Sequence, residues 1–298
     1  MTTVPDDAYA DSPEPTSTET VDVTKIVASA KCEDMKFWSP DSPNLYDVYT
    51  VLKDSEGNVL DVQKTTTGFR KVEYDINDGG LKINDQPVWL TGYAQRSTNE
   101  WAVIGVANDW LQDFDMQWIK ESNSNFIRWM HVAPKPSQIR SGDKYGVVSA
   151  CPAGDKEADV DGRSWDQRVE AMRDAMIYFR NSPSVIFWET GNNAVTAAHQ
   201  QEMTDLKNNL DPNGERFCGC RTISSTDQIQ AADYVGTMLN RHASNAKASM
   251  AAIKKYVPIM ETEYAREEAP RRVWDDFSPP DYDYRNKWLG SGASKTDG

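Results

Sequence analysis

A small antiparallel β-sandwich followed by a parallel (β/α) barrel is the fold class that the sequence predicts, on three observations. Residues 21–76 alternate apolar and polar side chains between turn signals, the pattern changes after Asp78-Gly79-Gly80, and from there to Tyr264 short apolar runs take turns with amphipathic ones. Alternation with period two marks half-buried strands, whereas repeated strand–helix alternation implies parallel strands joined by crossover helices. A chain of 298 residues is long enough for a barrel and a small second domain.

The elements follow in order. The first 20 residues, "MTTVPDDAYADSPEPTSTET", carry five acids and neither Lys nor Arg, which suits a disordered leader and neither a signal peptide nor an anchor. Over 21–78 the runs "VDVTKIVASAKCEDMKFWSP", "LYDVYTVLKD" and "VLDVQKTTTGFRKVEYDI" read as sandwich strands, with Ser55-Glu56-Gly57-Asn58 as a tight turn. The barrel is assigned to 79–288, with strands at "VWLTGY" (88–93), "SNFIRWM" (124–130), "GVVSAC" (146–151), "SVIFWE" (184–189), "RFCGCRTI" (216–223), "ADYVGTML" (232–239) and "VPIMETEY" (257–264). Helices are expected in "NDWLQDFDMQWIKESN", in "SWDQRVEAMRDAMIYFRN" and over 194–211, and a flexible tail over 289–298.

A doubly wound sheet would look similar at this level, but no Gly-x-Gly-x-x-Gly follows the first strand, which favours the barrel. Its eighth strand is hard to find: the stretch after Tyr264 is polar and Pro-rich, and "NKWLG" is too short, so an incomplete barrel stays open as a reading.

Composition narrows the partners. With 32 basic against 46 acidic residues the net charge is −14, which repels nucleic acid and suits a neutral or weakly charged ligand. No apolar run is long enough to span a membrane. Cys32, Cys151, Cys218 and Cys220 lack metal-finger spacing and read as free or buried thiols; Cys218 and Cys220 share one strand face, too far apart for disulfide geometry.

Five stretches together resemble glycoside hydrolase family 2, the retaining β-galactosidase, β-glucuronidase and β-mannosidase group, from about Phe37 to Asp276. "FWSPDSPNLYDVYTVL" is similar to the Trp-Ser-Pro-x-x-Pro-x-Leu-Tyr stretch of that family's immunoglobulin-like domain, and "GFRKVEYDINDGGLKINDQPVWLTG" to its Gly-Phe-Arg junction and the hairpin entering the barrel. "NFIRWMHVAP" resembles the Asn-x-Ile-Arg-x-x-His-x-x-Pro of the second strand, "PSVIFWETGNN" the Pro-Ser-x-x-x-Trp-Ser-x-Gly-Asn-Glu of the fourth, and "PIMETEYA" the Pro-Ile-x-x-Ser/Thr-Glu-Tyr/Phe-Gly of the seventh. The resemblance implies an immunoglobulin-like β-sandwich followed by a (β/α)₈ TIM-type barrel that cleaves terminal β-linked sugars, with β-galactoside as the prior. It makes Glu263 the nucleophile and Tyr264 its neighbour, Asn192 the ligand of the sugar 2-hydroxyl, and Arg128 and His131 pocket supports. The general acid/base position falls on Asn193.

Retaining hydrolysis needs two carboxyl groups about 5–5.5 Å apart, one to attack the anomeric carbon and one to protonate the leaving oxygen and then activate water. An amide at Asn193 can do neither, and the acid/base contribution it forfeits is typically about 10²–10⁴-fold. Glu189 and Glu261 are candidate substitute acids; the alternative makes them interior carboxylates paired to Arg128 or another base. Among the aromatic residues near strand ends, Trp89, Tyr93, Trp101, Trp129 and Trp188, the better sugar platforms are Trp101 and Trp129, while Trp89 and Trp188 serve core packing equally well. His199 reads as structural.

No cofactor is expected: some relatives use Mg²⁺ or Na⁺, but no closed set of oxygen ligands asks for one. The expected partner is an oligo- or polysaccharide, with no nucleic acid, no membrane and oligomerisation left open. The family's N-terminal jelly-roll domain has no counterpart before residue 21, so the chain reads as a fragment or trimmed form. The rival to a glycosidase is a non-catalytic carbohydrate-binding protein. A glucuronide would want additional basic residues in the pocket.

Overall fold

The computed structural model describes residues 32–75, 77, 80–95, 108–130, 132–154, 158–222, 225–237 and 257–262. The N-terminal part is β-rich: β1 (Trp38–Ser39) pairs with β2 (Ser42–Pro43), β3 (Tyr46–Lys53) with β4 (Val59–Thr67), and β5 (Val72–Asp75) with β6 (Gly80–Ile83) and through it β7 (Gln86–Pro87), all antiparallel. In the β3–β4 hairpin the Asp54 carboxylate accepts the backbone N–H groups of Glu56 and Asn58, and Gly57 takes φ +91°, the turn expected from Ser55-Glu56-Gly57-Asn58. Strands β5 and β6, on either side of the boundary expected at 78/79, pair antiparallel from Val72↔Ile83 to Asp75↔Gly80.

Seven parallel strands follow, β8 (Gly92–Gln95), β9 (Phe126–Trp129), β10 (Val148–Pro152), β11 (Val185–Glu189), β12 (Phe217–Cys220), β13 (Tyr234–Thr237) and β14 (Ile259–Glu261), each bonded to the next in chain order. A doubly wound sheet reverses its strand order at a switch point, whereas this order runs one way, as in a barrel wall. Among the described residues β14 does not pair back to β8, so the described strands form an open barrel wall. Outside lie α1 (Asp109–Glu121), α2 (Pro136–Tyr145), α3 (Arg163–Phe179), α4 (Ala197–Leu210) and α5 (Thr226–Ala231).

Two apolar layers hold this together. Met116, Ile139, Trp165, Met172, Phe179 and Met203 of the helices pack on Ile127, Trp129, Cys151, Trp188, Cys218 and Cys220 of the strands. On the other face Phe126, Val148, Ala150, Ile186, Phe187 and Tyr234 form the barrel interior, which Trp38, Val72 and Ile83 of the β-rich part join. Burial of such side chains is worth about 1.5–3 kcal/mol each, so the β-rich part is bound to the barrel by its core.

Polar bonds fix which end it covers. Trp38 Nε1 donates to Asp143 O at 2.8 Å, and Arg70 donates to the carbonyls of Pro183, Gly214 and Val185 at 2.6, 3.1 and 2.9 Å. Those carbonyls sit just before or at strand starts, so the β-rich part plugs the N-terminal end of the barrel and leaves the C-terminal end for a site. The Gly-Phe-Arg motif thereby has a physical account: a Cβ on Gly68 would come within 2.8 Å of Trp38 Cβ and 2.9 Å of Pro183 Cγ, and Arg70 needs that close approach to reach its carbonyls.

Helix α2 is absent from the sequence expectations. Its buried positions are Ser137, Gln138, Ile139, Ser141, Gly142 and Asp143, so it packs a small, mostly polar face in which Ile139 is the one large apolar side chain. Helix α4 begins at Ala197 rather than at 194, where Thr196 Oγ1 accepts the His199 N–H as its N-cap.

Candidate active site at the C-terminal strand ends

Side chains two apart on a strand share a face, so Arg128 follows Phe126, and Glu189 follows Phe187, up the barrel interior. Phe126 and Phe187 meet edge to face at 6.2 Å between ring centroids. Above them Arg128 and Glu189 form a two-point ion pair, Nε to Oε2 at 2.7 Å and Nη2 to Oε1 at 2.5 Å, with the side chains 0 % and 1 % exposed. Tyr234 is also fully buried in this interior, and burial together with the nearby Glu189 carboxylate pushes its phenol well above its usual range.

Beyond Glu189 the chain turns through Thr190-Gly191-Asn192-Asn193, and the end of β12 pins that turn. Thr190 N donates to Gly219 O at 2.8 Å, Arg221 N to Gly191 O at 3.1 Å, and Thr222 Oγ1 to Asn192 O at 3.1 Å; Cys220 Sγ lies 3.1 Å from both Gly191 O and Asn193 O. Space at Gly191 is tight: a Cβ would lie 3.0 Å from Asn193 O and 3.1 Å from Val195 Cγ1, so a larger residue needs those neighbours to give by a few tenths of an ångström. Burial raises the Cys220 thiol, so it serves as a proton donor to the turn rather than as a thiolate nucleophile. The same cause pushes Cys218 up to about 12 and Cys151 higher still, and all four cysteines are free.

The turn presents Asn192, which is 7 % exposed. Its Oδ1 accepts from Arg128 Nη2 at 2.9 Å and from Arg221 Nε at 3.0 Å. Asn193 follows on the exposed side of the turn.

Other expected residues fall as follows. Glu189 takes the alternative weighed for it: both carboxylate oxygens are engaged by Arg128, which leaves neither to protonate a leaving group. Trp129 is a correction. It is fully buried in the layer between strands and helices, with Nε1 donating to Ser149 Oγ at 3.3 Å, and cannot stack on a sugar in the barrel mouth. Trp188 packs in the same layer, Trp89 is 84 % exposed, and Tyr93 is half exposed with its hydroxyl on Ser122 Oγ. His199 is structural: its Nδ1 meets Asp159 at 2.9 Å, and its ring stacks on Trp165 at 3.8 Å. Trp101, His131, Glu263 and Tyr264 lie outside the described residues, as does the side chain of Glu261, whose main chain pairs with Thr237 in β14. Arg221 and Thr222 are site residues the sequence reading missed; the available signal was a basic and a hydroxyl residue just after a barrel strand, where such folds carry their chemistry.

Among the described residues no cluster of three or more His, Cys, Asp or Glu could hold a metal ion, and no helix is long and apolar enough to cross a membrane.

Arg128, Glu189, Asn192 and Arg221 lie at or just beyond the C-terminal ends of β9, β11 and β12, the end at which parallel barrels carry their sites. The family model "Glycosyl hydrolases family 2, TIM barrel domain" matches residues 74–271, and "Glycosyl hydrolases family 2" matches residues 3–70. The chain belongs to glycosyl hydrolases family 2. It is 35 % identical over 274 residues to a β-glucuronidase of Formosa agariphila, covering 91 % of this chain and 27 % of that protein. It is 29 % identical over 228 residues to a β-galactosidase 2 of Enterobacter cloacae, covering 72 % and 20 %. A solved β-glucuronidase of family 2 superposes with a TM-score of 0.68 at 34 % identity, over 84 % of this chain and 26 % of that one. The chain thus spans between a fifth and about a quarter of the length of these relatives.

Proposed function

We propose that this chain carries the barrel of a retaining β-glycosidase, with Glu263 as nucleophile, Asn192 as ligand of the sugar 2-hydroxyl, Arg128 as support of Asn192, and Asn193 in the acid/base position. Trp101, His131 and Tyr264 complete the pocket. The observation that carries this reading is the buried Asn192, held at the end of β11 by two guanidinium groups with its amide nitrogen left for a ligand.

The substrate is a terminal β-linked sugar, and a glucuronide ranks ahead of a galactoside. The β-glucuronidase of Formosa agariphila and the solved β-glucuronidase named above are each more than 30 % identical to this chain, and Arg221 is an additional base beside Arg128 at the site. Because Asn193 cannot serve as acid and Glu189 is tied to Arg128, hydrolysis depends on the leaving group. A second reading, a carbohydrate-binding protein without turnover, is favoured by those same two residues.

Turnover of 2,4-dinitrophenyl β-glucuronide and β-galactoside, compared with the phenyl glycosides and with Glu263→Ala, tests this. Release from dinitrophenyl substrates alone, lost in Glu263→Ala, is the expected result. Equal turnover of phenyl substrates would mean that another acid has replaced Asn193. Binding without release from any substrate would replace the proposed activity with the second reading.

A further inference from the structure

Arg221 comes from the end of β12 and touches the Thr190–Asn193 turn twice, by its backbone N–H to Gly191 O at 3.1 Å and by Nε to Asn192 Oδ1 at 3.0 Å. Arg128 reaches the same oxygen from β9 at 2.9 Å. A guanidinium has only donors, and a carbonyl oxygen has two lone pairs. Two cationic donors on one atom therefore decide which way the amide faces: turning it over would set its N–H groups against theirs. Both lone pairs of Oδ1 are used, so Asn192 offers a ligand only the protons of Nδ2. That group has no partner among the described residues, although the residue is more than nine-tenths buried.

We infer that Arg221 is a positioning residue: together with Arg128 it locks Asn192 with Nδ2 toward the barrel mouth, so that the site selects a ligand oxygen that accepts a hydrogen bond. This rests on the proposed function only for the identity of that oxygen, the sugar 2-hydroxyl. The hydroxyl must then give its own proton to some other group or to water. Arg221 itself touches no ligand atom in this scheme; it acts through Asn192, and the Cys220-Arg221-Thr222 segment acts as a splint for the turn.

The substitution that tests this is Arg221→Leu, with Arg221→Gln as the conservative partner, because the Gln side-chain nitrogen stands as many bonds from the backbone as Arg Nε. One readout needs no ligand: the Asn192 side-chain amide pair in a ¹⁵N correlation spectrum, identified by its loss in Asn192→Asp. Arg221→Leu should shift or broaden that pair while Arg221→Gln keeps it close to the parent position.

The second readout is calorimetric binding of phenyl 1-thio-β-D-glucuronide and its 2-deoxy analogue, with the galactoside pair as a parallel arm. Arg221→Leu should weaken the 2-hydroxyl ligand about tenfold and leave the 2-deoxy ligand unchanged, and Arg221→Gln should recover much of the difference. A substitution acting only on packing would weaken both ligands alike, and that result, or an unmoved Asn192 amide in Arg221→Leu, overturns the inference. If no glycoside binds the parent protein, the proposed function fails while the amide resonances still decide the role of Arg221.

Discussion

Arg128 and Glu189 face each other across strands β9 and β11 with two hydrogen bonds and essentially no solvent exposure. Taking both charges out of water costs several kcal/mol apiece, so the pair adds little net stability compared with an apolar pair of the same size. Its consequence is positional: with the carboxylate fixed on one edge of the guanidinium, Nη2 also reaches Asn192 Oδ1, and the ion pair becomes the base on which the Asn192 amide rests.

Glu189→Gln separates a structural role from an acid role. It removes the charge that two guanidinium N–H groups meet in the interior, and breaking such a pair costs about 3–5 kcal/mol. Urea denaturation should show a lowered midpoint with an unchanged slope. A variant as stable as the parent, but selectively slower on phenyl glycosides, would restore Glu189 as the substitute acid.

Arg70→Met tests the plug at the other end of the barrel. Three backbone carbonyls, of Pro183, Gly214 and Val185, lose a donor in a part-buried junction, at a cost of about 3 kcal/mol. Amide exchange should accelerate in β1 and β5 and at the start of β11 more than at the β11–α4 turn. Uniform acceleration would show that the junction and the barrel unfold as one unit.

Gly146→Ala concerns a single backbone position. Gly146 ends α2 in the left-handed region at φ +74°, and a Cβ there would run into the Pro40 carbonyl of the β1–β2 turn. The left-handed penalty alone is about 1–2 kcal/mol, and the contact with Pro40 adds to it. The thermal midpoint should fall by several degrees, whereas Gly57→Ala, also at positive φ but with open space around it, should lose less.

Much of the scaffold was legible in the sequence because the barrel strands are short apolar runs flanked by helices with clear apolar spacing. The site was legible where a turn motif carries it: Gly191-Asn192-Asn193 announces itself, and its Gly sits in tight space. Arg221 was not, since one basic residue after a strand has no spacing to recognise and its meaning comes only from Asn192, 29 positions earlier in sequence. Trp129 was misread although the pattern held the answer. Arg128 and Trp129 are adjacent on one strand and must face opposite sides, so a barrel-facing Arg128 already sends Trp129 to the helices.

Asp143 carries the pH dependence. Its carboxyl is buried at the end of α2, where Oδ1 accepts the Ser184 N–H at 2.9 Å, and burial pushes it up to about 6 from the ordinary carboxyl value of 3.8. A carboxyl raised on folding binds its proton more tightly in the native state, so its contribution is fully present below pH 3.8 and is lost as pH rises through about 6. The span corresponds to about 3 kcal/mol at most. Asp143→Asn keeps an oxygen for the Ser184 N–H and removes the charge. It should therefore be more stable than the parent at pH 8, with the gain shrinking as the pH is lowered toward 4. Urea unfolding at these two pH values measures the difference; a gain that grows toward acid pH would mean that Asp143 is held ionised by its neighbours.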